Sequence, residues 1–218
     1  AEGAWDGAWY RRGYYDDGRP LGSEACGECR IDAIAQAFAA LDTHADPGRV
    51  HTALTSAVEH LFDREHNVVR LFDPPITRRT PETGYVRSYG AGLRENGGQY
   101  THGALWLAMA LLRTGRTAEG AEILHAVLPA AHDPARYEGE PYVLAADIAG
   151  GDNAGVAGWT WYTGAAGWYL RIAAEDLLGL HLRGGVLYPE PHLPAGWPEC
   201  TVRWRDGAGL LHLSLIHI

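Results

Sequence analysis

Gly92-Leu93-Arg94-Glu95-Asn96-Gly97-Gly98-Gln99-Tyr100-Thr101-His102 is a polar, glycine-punctuated loop that runs without a break into an apolar helix, Ala104 to Leu112. A cation, a carboxylate, two amides, two hydroxyls and an imidazole are crowded at one helix N-terminus. Free backbone N–H groups there favour polar or anionic ligands. Ordinary loop composition with Thr101 as the helix cap would look similar. A second segment of the same design favours a site: Trp159-Thr160-Trp161-Tyr162-Thr163-Gly164-Ala165-Ala166-Gly167-Trp168 also carries hydroxyls and aromatics into a helix.

Working outward from the quoted stretch, helix Thr101 to Arg113, the turn Thr114-Gly115-Arg116 and helix Thr117 to Leu128 form a helical hairpin stopped at Pro129. An earlier hairpin has the same plan. Ile31, Ile34, Ala35, Phe38 and Leu41 share one face of a helix ending near His44. Asp46 and Pro47 then cap and open a second helix whose buried face is Val50, Ala53, Leu54, Ala57, Val58 and Leu61. Long loops, Asp73 to Gly92 and His132 to Gly158, separate these hairpins from one another and from a last helix, Trp161 to Leu178. Alternating helical hairpins and long loops suit a helical barrel or toroid, with the loops at its mouth. The two polar segments would meet at the rim.

The ends differ in texture. Trp5 to Tyr15 reads as a strand or hairpin arm closed at Asp16-Asp17-Gly18. Leu180 to Tyr188 and Thr201 to Gly207 read as short strands with Gly-Gly and Asp-Gly turns, a β-domain that has only begun. Leu213 to Ile218 looks unlike a natural terminus and is set apart as a remnant of cloning or assembly.

Composition narrows the chemistry. The 218 residues are 46% hydrophobic, enough for one sizeable core. None of their apolar runs approaches the roughly 18 residues of a membrane span. Net charge is −9 with scattered arginines, which argues against nucleic acid or an anionic membrane as partner. Three cysteines make no disulfide framework, and Cys26-Gly27-Glu28-Cys29 stands without a second pair to complete a zinc site, so structural thiols in a reducing compartment are expected. Eight Trp and eleven Tyr offer flat faces for sugar rings, and Arg94, Glu95, Asn96, Gln99 and Asp152 offer hydrogen bonds to hydroxyls. Trp106 and Trp168, at helical spacing, are assigned to packing. His102 and Thr163-Gly164, each at a helix start, point to an anion such as phosphate.

Several runs resemble family 94 of the glycoside hydrolases: Trp5-Asp6-Gly7-Ala8-Trp9-Tyr10-Arg11-Arg12, Glu28-Cys29-Arg30-Ile31-Asp32, Arg94-Glu95-Asn96-Gly97-Gly98-Gln99-Tyr100-Thr101-His102, Glu140-Pro141-Tyr142-Val143 and Gly158-Trp159-Thr160-Trp161-Tyr162-Thr163-Gly164. Glu-Cys-Arg-Ile-Asp and Ala145-Ala146-Asp147 look most like the branch containing the C-terminal region of cyclic β-1,2-glucan synthases. The resemblance implies a mainly α fold. Residues 1–178 would be the later part of an (α/α)6 barrel, and residues 179–218 the start of a C-terminal β-domain.

It also implies inverting phosphorolysis of a β-glucan oligosaccharide, with inorganic phosphate as co-substrate and no other cofactor or metal. His102, Thr163 and Gly164 fall on phosphate-binding positions, and Tyr89 and Arg94 on positions that contact the leaving sugar. Glu95, Asn96 and Gln99 are added to the sugar-binding set from the loop's own chemistry. The family's general acid belongs to an Asp-Trp-Asn-Asp motif, and no such motif occurs in this sequence. Asp6 is not a substitute for it. Ala146 stands where cellobiose phosphorylases carry Gln, which weighs against cellobiose as substrate. The chain is therefore expected to be a piece of a cytoplasmic enzyme, inactive alone, with any membrane anchor on other segments. A plain glycosidase on a similar barrel and a non-catalytic, chain-length-setting glucan-binding region of a synthase are the alternatives.

Overall fold

The computed structural model describes residues 2–78, 82–161, 163–206 and 209–216, and of residues 2, 163, 206 and 210–216 only the backbone. Tyr162 and Gly207, which the sequence reading used, lie outside these residues. The chain opens with a hairpin, β1 (Gly13–Tyr14) against β2 (Pro20–Leu21), turning at Asp16-Asp17-Gly18 as expected. Next come β3 (Ile31–Asp32), α1 (Ala33–Leu41) and α2 (Pro47–Leu61). Three short strands follow, β4 (Phe62–Asp63), β5 (Val68–Val69) and β6 (Phe72–Asp73), then β7 (Gln99–Tyr100), α3 (Thr101–Arg113), α4 (Thr117–Ala126) and the single turn α5 (Pro134–Tyr137). β8 (Asp147–Ile148) pairs with β7, and α6 (Thr163–Arg171) continues into a wider π-helical stretch, Ile172–Leu177. Two hairpins close the chain, β9 (Leu180–Arg183) with β10 (Val186–Pro189) and β11 (Glu199–Asp206) with β12 (Gly209–Ile216). The last strand takes in the backbone of Leu213–Ile216, part of the segment set apart as a remnant.

α3 is the centre of the packing. It touches α1, α4 and α6, and ten of its residues from Thr101 to Leu112 are buried. Leu105, Leu107, Leu111 and Leu112 are wholly enclosed, each contributing about 1.5–3 kcal/mol of burial. A helix apolar on all sides can only lie inside a layer of other helices. In α2 the expected face is found intact, with Val50, Ala53, Leu54, Ala57, Val58 and Leu61 all buried. Asp46 caps it through its carboxylate, which accepts from Arg49 N at 2.8 Å, and Pro47 opens the first turn. Replacing Asp46 with alanine should cost about 1 kcal/mol, read as a small drop in unfolding midpoint with no loss of helix content.

Four sequence expectations need correction. α1 begins after Asp32, whose side chain accepts from Ala35 N at 3.0 Å, so Ile31 lies in β3 and not on the helix face. Its buried residues are Ala33, Gln36 and Ala37, small enough in the alanines for α3 to come close, while Phe38 is 51% exposed. Thr101 is the first helical residue and not a cap. The cap position is Tyr100, which makes no side-chain capping bond, and the Thr101 N–H goes to Ala146 O at 3.0 Å. α4 stops at Ala126, two residues short of the expected end, and a 3-10 turn at Pro129–Ala131 follows. The final α-helix starts at Thr163, leaving Trp161 outside it with φ +64. No helix among the described residues is long and apolar enough to cross a membrane.

Candidate functional site

The two polar segments are joined by a narrow ladder. Tyr100 on β7 pairs with Asp147 on β8, and the other edge of β8 meets 157–159 through Ala146 N to Trp159 O at 2.6 Å and Gly158 N to Asp147 O at 2.8 Å. Gly92 takes φ +82 and approaches the backbone of Gly150, whose N–H it accepts at 2.7 Å. A side chain at Gly92 would strike the Gly150 carbonyl. The quoted loop and the second glycine-rich stretch are thus fastened at two places before either reaches its helix.

At one end of this ladder is His102. Its ring stacks on Tyr100 at 5.2 Å and lies 5.8 Å from Trp106. Its Nε2 reaches the start of α6, where a Cβ added to Gly164 would stand 2.7 Å away. Glycine at 164 therefore makes room for the imidazole beside the free N–H groups of that helix. Burial pushes the His102 pKa below the ordinary histidine range, so the ring is neutral near pH 7 and presents one N–H donor. Its Nδ1 is buried with no protein partner. His102 thus stands beside Gly164, the residue after Thr163 at the start of α6.

Across the ladder, on the Trp159 side, lies the guanidinium of Arg94, whose backbone is in the left-handed region with φ +49. Its guanidinium carbon sits 3.2 Å from the Trp159 ring centroid and 5.3 Å from that of Tyr89. A cation held against two aromatic faces is stabilised by their quadrupoles and keeps its N–H edges free to donate. Glu95 accepts from the Tyr85 hydroxyl at 3.5 Å. Trp159 and Trp161 are 52% and 65% exposed, and the Trp161 indole N–H donates to Glu140 at 2.8 Å. The result is an open aromatic shelf, with the Arg94 guanidinium seated on it.

Asn96 and Gln99 have a different place from the one expected. Both are fully buried. Asn96 accepts from Ile76 N and donates to the carbonyls of Ile76 and Tyr89, which uses both of its amide hydrogens. Gln99 accepts from Val69 N at 2.9 Å and donates toward Thr101 Oγ1. They hold the loop in shape and, being fully buried, present no face to a bound hydroxyl. Asp152 lies exposed on the 3-10 turn Gly151–Asn153.

Asp6 is equally occupied. It accepts from Arg11, Ser23 and Glu24 N. Burial works to raise its pKa, but these bonds outweigh it and hold the carboxylate below the usual range, the opposite of what a general acid needs. Cys26, Cys29 and Cys200 are free thiols, and burial pushes Cys29 well above the usual thiol range, which makes it unreactive. Among the described residues no three His, Cys, Asp or Glu are grouped to hold a metal. Trp106 and Trp168 pack against the main core, at 5.9 Å from each other. The hollows lined by Tyr15, Cys26 and Glu28 and by Arg113, Asp176 and His192 take in none of the site residues.

A family profile, that of the glycosyl hydrolase 94 superfamily catalytic domain, matches residues 1–179. The chain belongs to the glycosyl hydrolase 94 superfamily. Similar proteins include the cyclic beta-(1,2)-glucan synthase NdvB of Rhizobium meliloti, 46% identical over 94% of this chain and 7% of the synthase. The solabiose phosphorylase of Paenibacillus borealis is 30% identical over 91% of this chain and 26% of its own length. The N,N'-diacetylchitobiose phosphorylase of Vibrio proteolyticus is 28% identical, over 92% and 26% respectively. The chain therefore spans about a quarter of these phosphorylases and a small part of the synthase.

Within this glycosyl hydrolase 94 domain, sequence reasoning passed over two contributors to the site. Trp159 was quoted only as part of a motif, although its ring seats Arg94. Asp147 was noted only for its branch resemblance, yet it accepts from Trp159 N at 3.0 Å, and Arg94 and Glu95 both act on its charge. Asp147 lies between Ala146 and Ile148 in sequence, and its glycine and tryptophan neighbours, Gly158 and Trp159, are brought to it only by strand pairing.

Proposed function

We propose that this chain is the phosphate-binding portion of an inverting β-glucan phosphorylase domain. The observation that carries the reading is His102 Nε2 beside Gly164 at the start of α6, a neutral donor next to free helix N–H groups, with the Arg94–Trp159–Tyr89 shelf across the β7–β8 ladder. Phosphate bound by His102, Thr163 and Gly164 attacks the anomeric carbon from the face opposite the leaving sugar. The new C1–O bond to phosphate forms as the glycosidic bond breaks, and the leaving oxygen takes a proton from a general acid carried outside these 218 residues. Phosphate is already an anionic nucleophile, so this site needs no second carboxylate to activate water. Tyr89, Arg94 and Glu95 line the leaving sugar, while Asn96 and Gln99 shape their loop. The likeness to a cyclic beta-(1,2)-glucan synthase supports β-1,2-glucan as the substrate, and the likeness to several phosphorylases supports phosphorolysis as the reaction.

On this reading residues 1–178 form later hairpins of an (α/α)6 barrel, residues 179–218 begin a β-domain, and the enzyme works in the cytoplasm. The chain alone is inactive, because loss of a positioned general acid typically costs about 10²- to 10⁴-fold. The test incubates the full-length protein with β-1,2-glucan oligosaccharides, with and without phosphate. Release of glucosyl 1-phosphate only when phosphate is present is the expected result. Equal release of free sugar without phosphate identifies a plain glycosidase, and saccharide binding without any cleavage identifies a glucan-binding region of a synthase. Either outcome overturns the proposal.

A further inference from the structure

Asp147 stands on the strand where the two polar segments meet. Its strand ties α3 on one side, through Ala146 O and the Thr101 N–H, and the Trp159 segment on the other, through Ala146 N and Asp147 O. The side chain does not stand in open solvent. One oxygen, Oδ1, accepts the Trp159 N–H at 3.0 Å, and the other makes no hydrogen bond to a described residue. Gly158 presses so closely that a Cβ there would run into the carboxylate, so the chain has kept glycine beside an acid it must accommodate. The Trp159 backbone thus rests on Asp147 while the Trp159 ring carries the Arg94 guanidinium at 3.2 Å.

Two contacts in series therefore join Asp147 to Arg94, and the charges themselves also interact. We infer that Asp147 is a positioning residue for the sugar shelf: it fixes Trp159 from below and balances Arg94 from the side, so that the guanidinium edge is held toward the leaving sugar. This rests on the phosphorolytic reading and assigns to it a residue that touches no reacting atom. Specificity for the saccharide, and not affinity for phosphate, should then depend on Asp147, because His102 and Gly164 lie beyond Tyr100 on the opposite strand.

The charged and titratable groups facing Asp147 are Arg94 and Glu95 from the quoted loop and Tyr100, its partner across β7; the segment 157–159 offers only the Trp159 N–H. Burial raises the Asp147 pKa, the Trp159 N–H and Arg94 lower it, Glu95 raises it, and the net direction is upward. The sign follows. Asp147 takes up its proton at a higher pH than an ordinary aspartate, and on protonation it loses its attraction for Arg94. Saccharide affinity should accordingly weaken as pH falls through that raised value, and phosphate affinity should not follow it.

The experiment compares wild type with Asp147→Asn in the full-length protein. Asparagine keeps the acceptor for Trp159 N–H and the volume under Gly158 but removes the charge. Expected is a rise of about three- to tenfold in the KM for a β-1,2-glucan oligosaccharide, with kcat and the KM for phosphate unmoved. The fall in saccharide affinity at low pH, present in wild type, should be absent in the variant. Calorimetric titration with the same oligosaccharide in the absence of phosphate should show the same loss without any turnover. An unchanged saccharide affinity with an unchanged pH profile overturns the inference, as does a variant that loses phosphate and saccharide affinity together. A wild type that binds the oligosaccharide but shows no phosphate-dependent cleavage overturns the phosphorylase reading alone, and the titration then still decides the role of Asp147.

Discussion

Replacing His102 with alanine in the full-length protein is expected to raise the phosphate concentration for half-maximal turnover by about 10- to 100-fold, with a smaller change in the saccharide KM. A hydrogen bond to an ionised group contributes about 1.5–3 kcal/mol, and each 1.4 kcal/mol is a factor of ten. The side chain is aimed by packing and not by its own hydrogen bonds. Tyr100 stacks on it, Trp106 borders it, and Nδ1 has no protein partner. Glutamine, which can present an N–H at a similar reach, should recover part of the loss. Because burial keeps the imidazole neutral, phosphate binding should not weaken as pH rises from 6.5 to 8, the range in which a site relying on imidazolium would lose its charge. Phosphate kinetics at several pH values check both points. An unaltered phosphate requirement in the alanine variant would remove His102 from the site.

The largest expected loss of stability lies at Asp32, some distance from the chemistry. This carboxylate is fully buried, accepts from Ala35 N as the cap of α1, and is paired with Arg12. Changing it to alanine removes the cap and leaves Arg12 without its counter-charge. Arg12 is about one-third exposed and can turn to water, so the loss is set below the full value for a sealed pair. About 2–4 kcal/mol is expected. For a chain of this length that lowers the melting temperature by about 5–15 °C, measurable by tryptophan fluorescence during heating. Asp32→Asn keeps the acceptor and should lose markedly less. Equal melting of wild type and the alanine variant would show that neither the cap nor the pair holds β3 and α1 together.

Asp32 also shows why part of the architecture was readable in advance and part was not. Helix α2 was read correctly because its cap, its proline and its apolar period all agree, and each acts within four residues along the chain. α1 was displaced because the period alone cannot say which of two apolar faces will meet a neighbour. The alanine face, Ala33 and Ala37, was taken by α3, and Phe38 was left outside. At the site the same limit applies to polar groups. Arg94, Glu95, Asn96 and Gln99 lie within six positions of one another and look alike as hydrogen-bonding residues. Only the fold turns Asn96 and Gln99 inward onto the backbone of Ile76, Tyr89 and Val69.

By itself the sequence determined the helical hairpins, the terminal β-hairpins and the family, because these depend on local period, local turns and motifs that travel intact along the chain. The tertiary structure alone decided that His102 meets Gly164, that Arg94 rests on Trp159, and that Asp147 stands between the two segments. The first two of those contacts join residues more than fifty positions apart. They form because β7 and β8 pair and α3 and α6 pack, and pairing and packing are settled by which surfaces exclude water together.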